Sequence, residues 1–206
     1  MDTPTLARES ALWAKGIRHV AGLDEVGRGP LAGPVVAAAV VFSDDMTDID
    51  GLRDSKQMTA RQRDRVAGVI RSTALAWGVG AASPREIDRM NILRATALAM
   101  RRALSLLSPS PDHVLVDGNP FPELRCEHEA IVKGDATCLS IAAASVIAKQ
   151  SRDRLMVLLG SRFPAFGWEQ NMGYGTAEHI VAIDTNGVTP HHRRTFTPVS
   201  QLKLFC

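Results

Sequence analysis

Residues 21–42 read AGLDEVGRGPLAGPVVAAAVVF and hold two apolar runs separated by a turn rich in glycine and proline. The runs at 20–26 and 35–42 have the valine and alanine content of buried strands, so they predict two consecutive strands joined by the turn. Asp24 and Glu25 lie on the first strand. Neighbouring carboxylates repel each other, so this pair needs either a cation that neutralises it or a raised pKa that tolerates it.

The turn after the acids contains Gly27, Arg28 and Gly29, and glycine lets bare backbone come close to a ligand. Together with Gly33, these glycines approximate a dinucleotide-binding fingerprint. Two observations argue against that alternative: the acids would repel a pyrophosphate, and a strand follows the turn where a dinucleotide fold requires a helix. A metal-dependent phosphate chemistry explains both the acids and the turn.

The composition bounds the class of protein. The 206 residues suit one core with a small appended subdomain, and the net charge of +2 means that a nucleic-acid partner must be held by a local patch. The three cysteines show no CxxC pair, which favours a reducing cytoplasm over a disulfide framework or a zinc site. No segment has the pattern of a signal peptide, and no apolar run is long enough to span a bilayer, so we expect no membrane association.

The remaining chain alternates between strand and helix patterns. Further strands are predicted at residues 74–80, 113–116 and 126–132. Helices are predicted at residues 59–73, 83–107, 140–159 and 177–186, with capping boxes at the first two starts and Gly160 as the end of the third. This order predicts an α/β sheet domain over residues 1–160 and a small helical C-terminal subdomain over 161–206.

Two further acids follow predicted strands. Asp117 comes after HVLV, and Asp135 comes after Val132, Lys133 and Gly134. An acid after a strand is by itself most often a turn former or a helix cap. Four acids in such positions instead suit hard ions such as Mg²⁺ or Mn²⁺, and two such ions about 3.5–4 Å apart would activate water against a phosphodiester.

Taken in order, the motifs of this chain resemble type 2 ribonuclease H, the ribonuclease HII family of bacteria. The matching motifs are DEVGRG at 24–29, DSK at 54–56, VDGN at 116–119, KGD at 133–135, SIAAASVIAK at 140–149 with RD at 152–153, and GYGT at 173–176. The resemblance implies a ribonuclease H-like mixed five-stranded sheet flanked by helices, with the first and fourth strands adjacent. It also implies that Asp24, Glu25, Asp117 and Asp135 form a catalytic quartet that binds two Mg²⁺ or Mn²⁺ ions.

The same resemblance implies a substrate-binding side. The turn Gly27, Arg28 and Gly29 would contact the 2′-hydroxyl of a ribonucleotide, and Tyr174 would pack on the sugar of the following deoxynucleotide. Further substrate contacts are implied for Ser55, Lys56, Asn91 and Lys149, with Arg152 extending the basic surface.

The function implied is that of a monomeric endoribonuclease. It would hydrolyse the RNA strand of RNA/DNA hybrids and cut 5′ to single ribonucleotides in duplex DNA, leaving 3′-hydroxyl and 5′-phosphate ends, in ribonucleotide excision repair and RNA primer removal. The alternatives are a structure-specific DNA nuclease of the same fold and a nucleic-acid-binding protein without catalysis. The 2′-hydroxyl-reading residues argue against the first alternative, and the intact acids argue against the second.

The chain ends in QLKLFC. Gln201, Leu202, Leu204 and Phe205 resemble the short tail motifs that dock into bacterial sliding clamps, where leucine and phenylalanine can anchor in a small pocket. The alternative is a tail that folds these side chains back on its own domain.

Overall fold

The computed structural model describes residues 3–53, 55 and 58–201. A mixed five-stranded sheet lies at its centre, with the strand order β3-β2-β1-β4-β5. The strands are β1 (Val20–Val26), β2 (Val35–Val41), β3 (Ala76–Ala82), β4 (His113–Asp117) and β5 (Glu129–Ile131). β1 pairs antiparallel with β2 and parallel with β4, so the predicted sheet and the predicted neighbourhood of the first and fourth strands are confirmed.

Helices cover both faces of the sheet. They are α1 (Ala7–Trp13), α2 (Ala60–Thr73), α3 (Pro84–Met90), α4 (Ile92–Leu104), α5 (Gly134–Thr137), α6 (Leu139–Arg162), α7 (Trp168–Asn171) and α8 (Ala177–Asn186). Ala37 and Ala39 of β2 face a core shared with α4, whereas Ala38 and Val40 face a core shared with α2 and α6. Because β2 is buried on both faces, it reads as a continuous apolar run rather than an alternating one.

The first half of α6 lies unusually close to the sheet. A Cβ atom at Gly22 of β1 would lie 2.2 Å from the carbonyl carbon of Ser140. Residues 139–148 of α6 are all buried, and more than half of them are alanine or serine, whose small side chains let the helix approach the sheet closely. The run of small residues in this helix therefore serves backbone-to-backbone packing of helix on strand.

Some element boundaries differ from the sequence-based predictions. The predicted helix at 83–107 is two helices, because Asn91 adopts a left-handed φ of 70° between α3 and α4. The prediction that Gly160 ends a helix is wrong, since α6 continues to Arg162 and a Cβ at Gly160 would lie 2.4 Å from Glu169 Oε2. The glycine is thus required by packing rather than by a helix end.

The ends of two strands also differ from their predicted positions. β3 starts two residues later than predicted, and β5 is confined to three of the seven residues predicted at 126–132. The capping boxes at Thr59 and Ser83 are both confirmed. No helix among residues 3–53, 55 and 58–201 has the length and apolar character needed to cross a membrane.

The C-terminal part packs on the turn that follows β1. Leu31 and Ala32 of that turn share an apolar cluster with Met156, Phe166 and Trp168. The Trp168 Nε1–H group donates to His179 Nε2 at 3.0 Å inside this cluster. A separate subdomain boundary at residue 161 stays a prediction, but this cluster fixes the C-terminal segment against the turn.

Replacing Gly22 by alanine is expected to destabilise the protein by about 1–3 kcal/mol or more, because the new methyl group would meet the backbone of α6. Gly68→Ala is the matched control, since Gly68 lies within α2 and a Cβ there meets nothing within 4 Å. That change is expected to stabilise by about 0.5–1 kcal/mol. Urea unfolding of both variants measures the two effects, and equal stability of the variants would contradict the close approach of α6 to β1.

Candidate active site

The pairing of β1 with β4 brings acids from distant parts of the sequence together. Leu23 of β1 lies opposite Val116 of β4 in the parallel register, so the next residue on each strand is an acid, Asp24 or Asp117. Glu25 follows Asp24 on β1, and its backbone N–H donates to Asp24 Oδ1 at 2.7 Å. Three of the four predicted acids therefore meet at one edge of the sheet.

The electrostatics of these acids match the repulsion expected from the sequence. Burial raises the pKa of Asp24 well above its ordinary value, and the charges of Glu25 and Asp117 raise it further. Burial also raises the pKa of Glu25, although Arg28 Nη1 donates to Glu25 Oε1 at 3.1 Å and opposes that shift. The fold therefore holds negative charge where it is unfavourable without a cation.

Asp24 is supported from α6. A hydrogen bond with the Ser145 side chain lowers its pKa and opposes the effect of burial. The Ser145 Oγ atom in turn lies 2.9 Å from Ser55 Oγ. Ser55 is 3% exposed, so its hydroxyl is part of the buried support of Asp24, and a substrate contact through this residue stays a prediction. The neighbouring Lys56 lies outside the described residues.

Asp135 joins the cluster through Asp117. Its backbone N–H donates to Asp117 Oδ1 at 3.3 Å, from the first turn of α5. The side chain is 8% exposed. A Cβ at Gly134 would lie 2.6 Å from Ile141 Cδ1 of α6 and 3.4 Å from the same Asp117 oxygen, so this glycine occupies a crowded position between α6 and β4. Asp117 thus lies between the β1 acids and Asp135.

A cavity of about 340 Å³ opens beside these acids. Its polar lining includes Glu25, Arg28, Asp117 and Asn119, and its apolar side includes Phe121. The cavity gives a solvent-accessible approach to the acids at the end of β4, where α/β sheets commonly bind ligands.

The donor set fits a hard divalent cation, because the acids supply carboxylate oxygens and their raised pKa values indicate negative charge in excess. In the part of the chain that the structure describes, however, no three His, Cys, Asp or Glu side chains are already arranged to hold one metal ion. Glu25 is bonded to Arg28 instead. Metal binding would therefore require Glu25 to exchange this ion pair for the cation.

The glycines of the turn have separate structural roles. A Cβ at Gly27 would lie 2.1 Å from Arg152 Nε, and a Cβ at Gly33 would lie 2.4 Å from Met156 Sδ. Both glycines have positive φ, and both face the protein interior rather than a ligand. A Cβ at Gly29 would meet only Tyr174 Cε1, at 3.7 Å. Gly29 is therefore the position where bare backbone faces an open surface.

Tyr174 lies next to this open surface and is 49% exposed. Its loop is fixed to the turn, because Gly173 O accepts hydrogen bonds from the backbone N–H groups of Leu31 at 2.8 Å and Ala32 at 3.2 Å. These bonds hold the tyrosine loop next to the turn.

Three other predicted residues have bonded partners within the fold. The Asn91 side chain caps α4 by accepting from Arg94 N at 3.1 Å, while the residue itself stays exposed. Lys149 Nζ is 2.7 Å from Asp153 Oδ1, in an ion pair on α6. Arg152 is fully buried, so the expectation that it extends the basic surface is wrong.

The adjacent histidines His191 and His192 are structural. His192 is 1% exposed, and burial lowers its pKa to about 4, so it is neutral at physiological pH. His192 Nε2 lies 3.2 Å from His179 Nε2, and the His191 ring packs against Phe163. Both rings therefore pack against other rings of the C-terminal part and not among the acids.

Sequence reasoning missed an arginine cleft of about 480 Å³ that adjoins the cavity along α4. Arg94, Arg101 and Arg125 line it together with Glu123. Among the described residues none of these arginines forms an ion pair with a carboxylate, and Arg101 Nη1 donates to the backbone oxygen of Glu123 at 2.9 Å. The seven-residue spacing of Arg94 and Arg101 on one helix face was the available signal.

Several known proteins are similar to this chain in sequence and in fold. The sequence profile of the family described as Ribonuclease HII matches residues 21–199. A Ribonuclease HII from Sphingopyxis alaskensis is 53% identical over 197 residues, which is 95% of this chain and 98% of the relative. The crystal structure of ribonuclease H2 from Pyrococcus horikoshii OT3 is similar with a TM-score of 0.76 at 28% identity, covering 89% of this chain and 96% of that one. A chain of the PCNA:RNase HII complex from Archaeoglobus fulgidus has a TM-score of 0.68 at 27% identity, with coverages of 86% and 95%.

The raised pKa of Asp24 predicts that Asp24→Asn stabilises the metal-free protein at pH 7, because it removes a buried, repelled charge. Each kcal/mol gained would raise the Tm by roughly 2–4 °C. Since the folded pKa is raised, the wild-type penalty is present above the unfolded pKa of about 4 and fades below it. The advantage of the variant should therefore shrink towards pH 4.

Thermal scans with and without Mg²⁺ measure this effect, and Mg²⁺ should raise the Tm of the wild type more than that of Asp24→Asn. Asp184→Asn is the control, because Asp184 is an exposed acid on α8. A variant no more stable than the wild type at pH 7 would show that charge at Asp24 does not strain the fold.

Proposed function

The chain belongs to the ribonuclease HII family and is a ribonuclease H, and from this premise we propose how it selects and cuts its substrate. We infer that it hydrolyses the RNA strand of RNA/DNA hybrids and cuts 5′ to a single ribonucleotide in duplex DNA, leaving 3′-hydroxyl and 5′-phosphate ends. The observation that carries this proposal is the close placement of mutually repelling acids and an open glycine turn at one sheet edge.

The cutting half consists of Asp24, Glu25, Asp117 and Asp135, which would hold two divalent cations, Mg²⁺ or Mn²⁺. Bound cations would supply positive charge that lowers the pKa of an attacking water and offsets charge on the leaving oxygen. The β1 acids and Asp117 would fix that charge at the mouth of the cavity. Arg28, released from Glu25 on metal binding, would become free to approach a substrate phosphate.

The reading half consists of the turn at residues 27–29 and Tyr174. Only the 2′-hydroxyl distinguishes RNA from DNA at a given nucleotide, and backbone groups at Gly29 are accessible enough to test for it. The half-exposed Tyr174 ring offers a flat surface for the next sugar. In this proposal water attacks the phosphate, and the 2′-hydroxyl is recognised without being the nucleophile.

The arginine cleft supports binding of a duplex longer than the reacting nucleotide. Arg94, Arg101 and Arg125 place unpaired positive charge next to the cavity, although the net charge of the chain is only +2. A local patch of this kind can bind backbone phosphates where bulk charge cannot. We propose that the biological roles are removal of misincorporated ribonucleotides and clearance of RNA primers.

We expect the wild type to cut an RNA/DNA hybrid and a DNA duplex with one ribonucleotide, and to leave an all-DNA duplex intact, in Mg²⁺ or Mn²⁺ but not in EDTA. Asp117→Asn should abolish cleavage while largely keeping duplex binding, because it removes ligand charge and not the reading half. Gel analysis of end-labelled strands and fluorescence anisotropy measure the two quantities.

Each alternative has its own outcome in this assay. Cleavage of the all-DNA duplex would favour a structure-specific DNA nuclease, and binding without cleavage under every metal condition would favour a non-catalytic protein. Cleavage that persists in EDTA would exclude the metal-dependent mechanism.

We also propose that the C-terminal tail binds the bacterial sliding clamp. The support is the QLKLF sequence and the relative from Archaeoglobus fulgidus, which is found in a complex with PCNA. Gln201 ends a short 3₁₀ helix at residues 199–201, whereas Leu202, Leu204 and Phe205 lie outside the described residues.

Removal of residues 202–206 should abolish recovery of this protein with the purified clamp, while hybrid cleavage without clamp stays unchanged. The double change Leu204→Ala and Phe205→Ala tests the two anchors at constant tail length. Equal recovery of the full and shortened chains would disprove the clamp proposal and leave the nuclease proposal untouched.

A further inference from the structure

Two arginines lie completely buried beneath the glycine turn. Arg152 on α6 and Arg193 near the C-terminus each have 0% exposure. Neither forms an ion pair with a carboxylate within the described part of the chain. A buried charge is costly unless its hydrogen-bonding groups are satisfied, so the partners of these guanidinium groups show what the fold gains from them.

Within the described residues, the hydrogen-bond acceptors of the Arg193 guanidinium are all backbone oxygens of the turn. Its Nη2 group donates to Gly27 O at 2.5 Å and to Gly33 O at 2.9 Å. Its Nη1 group donates to Arg28 O at 2.8 Å, and its Nε group donates to Gly33 O at 3.0 Å. Burial and the charge of Arg152 lower the pKa of Arg193 to about 9, so the group remains a cation at neutral pH.

Arg152 holds the other end of the turn and the tyrosine loop together. Its Nε group donates to Pro34 O at 3.0 Å, and its Nη2 group donates to Ala32 O at 3.1 Å. Its Nη1 group donates to Met172 O at 2.9 Å, two residues before Tyr174. Arg152 therefore fixes the position of the turn relative to the tyrosine loop, whereas the hydrogen bonds of Arg193 within the described residues all go to the turn, and its guanidinium also lies 5.0 Å from the centre of the Phe196 ring.

These bonds determine which backbone groups face outward. In a planar trans peptide the C=O and N–H groups point in opposite directions. Because Gly27 O and Arg28 O both point inward to Arg193, the N–H groups of Arg28 and Gly29 must point away from it. The turn thus presents two consecutive amide donors at the position where Gly29 leaves the surface open.

We propose that Arg193 and Arg152 are positioning residues for ribonucleotide recognition, and that they act by orienting the peptide planes of residues 27–29 so that these two amides donate to the ribose 2′-oxygen. This inference rests on the proposed function. A guanidinium group suits the task because its planar fork holds several carbonyl oxygens at fixed angles, which the point charge of lysine cannot do.

The experiment uses the full chain with Asp117→Asn as a non-cleaving background in Mg²⁺. It measures the dissociation constants for an all-DNA duplex and for the same duplex with one ribonucleotide. Their ratio reports 2′-hydroxyl recognition and is independent of the fraction of folded protein, because a loss of folded molecules weakens both equally. We expect Arg193→Lys to lower this ratio by about tenfold, the value of one net hydrogen bond, while the all-DNA constant stays the same.

Trp168→Phe is the matched control. It removes the Trp168 Nε1 bond to His179 in the same C-terminal cluster but leaves the Arg193 bonds to Gly27, Arg28 and Gly33 in place. It should lower the Tm while keeping the ratio of the wild-type turn. An unchanged ratio in Arg193→Lys, or an equal fall in Trp168→Phe, would overturn the positioning role.

The two arginines should differ in their coupling to Tyr174. Tyr174→Ala should reduce binding of single-ribonucleotide duplexes more than binding of long hybrids, and Arg152→Lys should repeat part of this loss. The effects of Tyr174→Ala and Arg152→Lys should be less than additive, and those of Tyr174→Ala and Arg193→Lys additive. The same coupling for both arginines would contradict the separate anchoring seen at Met172.

If a lysine variant does not fold, hydrogen exchange of the turn amides can be measured in a protein that keeps both arginines. In the ¹⁵N-labelled Asp117→Asn protein, the Arg28 and Gly29 amides should gain protection from hydrogen exchange with the ribonucleotide duplex and not with the all-DNA duplex. Equal protection by both duplexes, or none, would disprove the inference. If the wild type shows no ribonucleotide preference in binding or cleavage, it is the proposed function that has failed.

Discussion

The parallel pairing of β1 with β4 is the constraint on which the site depends. It sets Asp24 beside Asp117 although 93 residues separate them in the chain. The same edge receives Asp135, whose backbone N–H donates to Asp117 Oδ1 from the first turn of α5. Without the pairing of β1 and β4 these acids would lie apart, so the sheet topology itself creates the charge repulsion at this edge.

This repulsion has to be balanced by the rest of the fold, since buried like charges oppose folding. The small residues of β1, β2 and α6 allow the helix to pack closely on the sheet. Ser145 on α6 also forms a hydrogen bond with Asp24 that favours its charged form. Helix α6 therefore combines two roles, because it supplies apolar contact along the sheet and also carries polar groups to both halves of the site. The mutually repelling acids are therefore supported by the close packing of α6 against β1.

Local patterns predicted most of the strands and helices, and the resemblance of the ordered motifs to a known family implied the mixed sheet with its first and fourth strands adjacent, which the structure confirms. Prediction from the sequence failed where a single residue has two possible meanings. Gly160 reads as a helix end, but the structure uses it for contact with Glu169. Arg152 reads as a surface charge but is buried, because burial depends on the packing of distant segments and leaves no mark in the local sequence.

The glycines of the turn have different structural roles although they belong to one sequence motif. Gly27 and Gly33 are required by the arginines and methionine packed beneath them, whereas Gly29 alone faces the open surface beside Tyr174. Two of the glycines in this motif are thus required by internal packing, and only one lies where a ligand could approach the backbone. The buried arginines explain why the scaffold must be cationic: carbonyl oxygens drawn inward by a fixed positive charge leave amide hydrogens outward, where a hydroxyl oxygen can accept them.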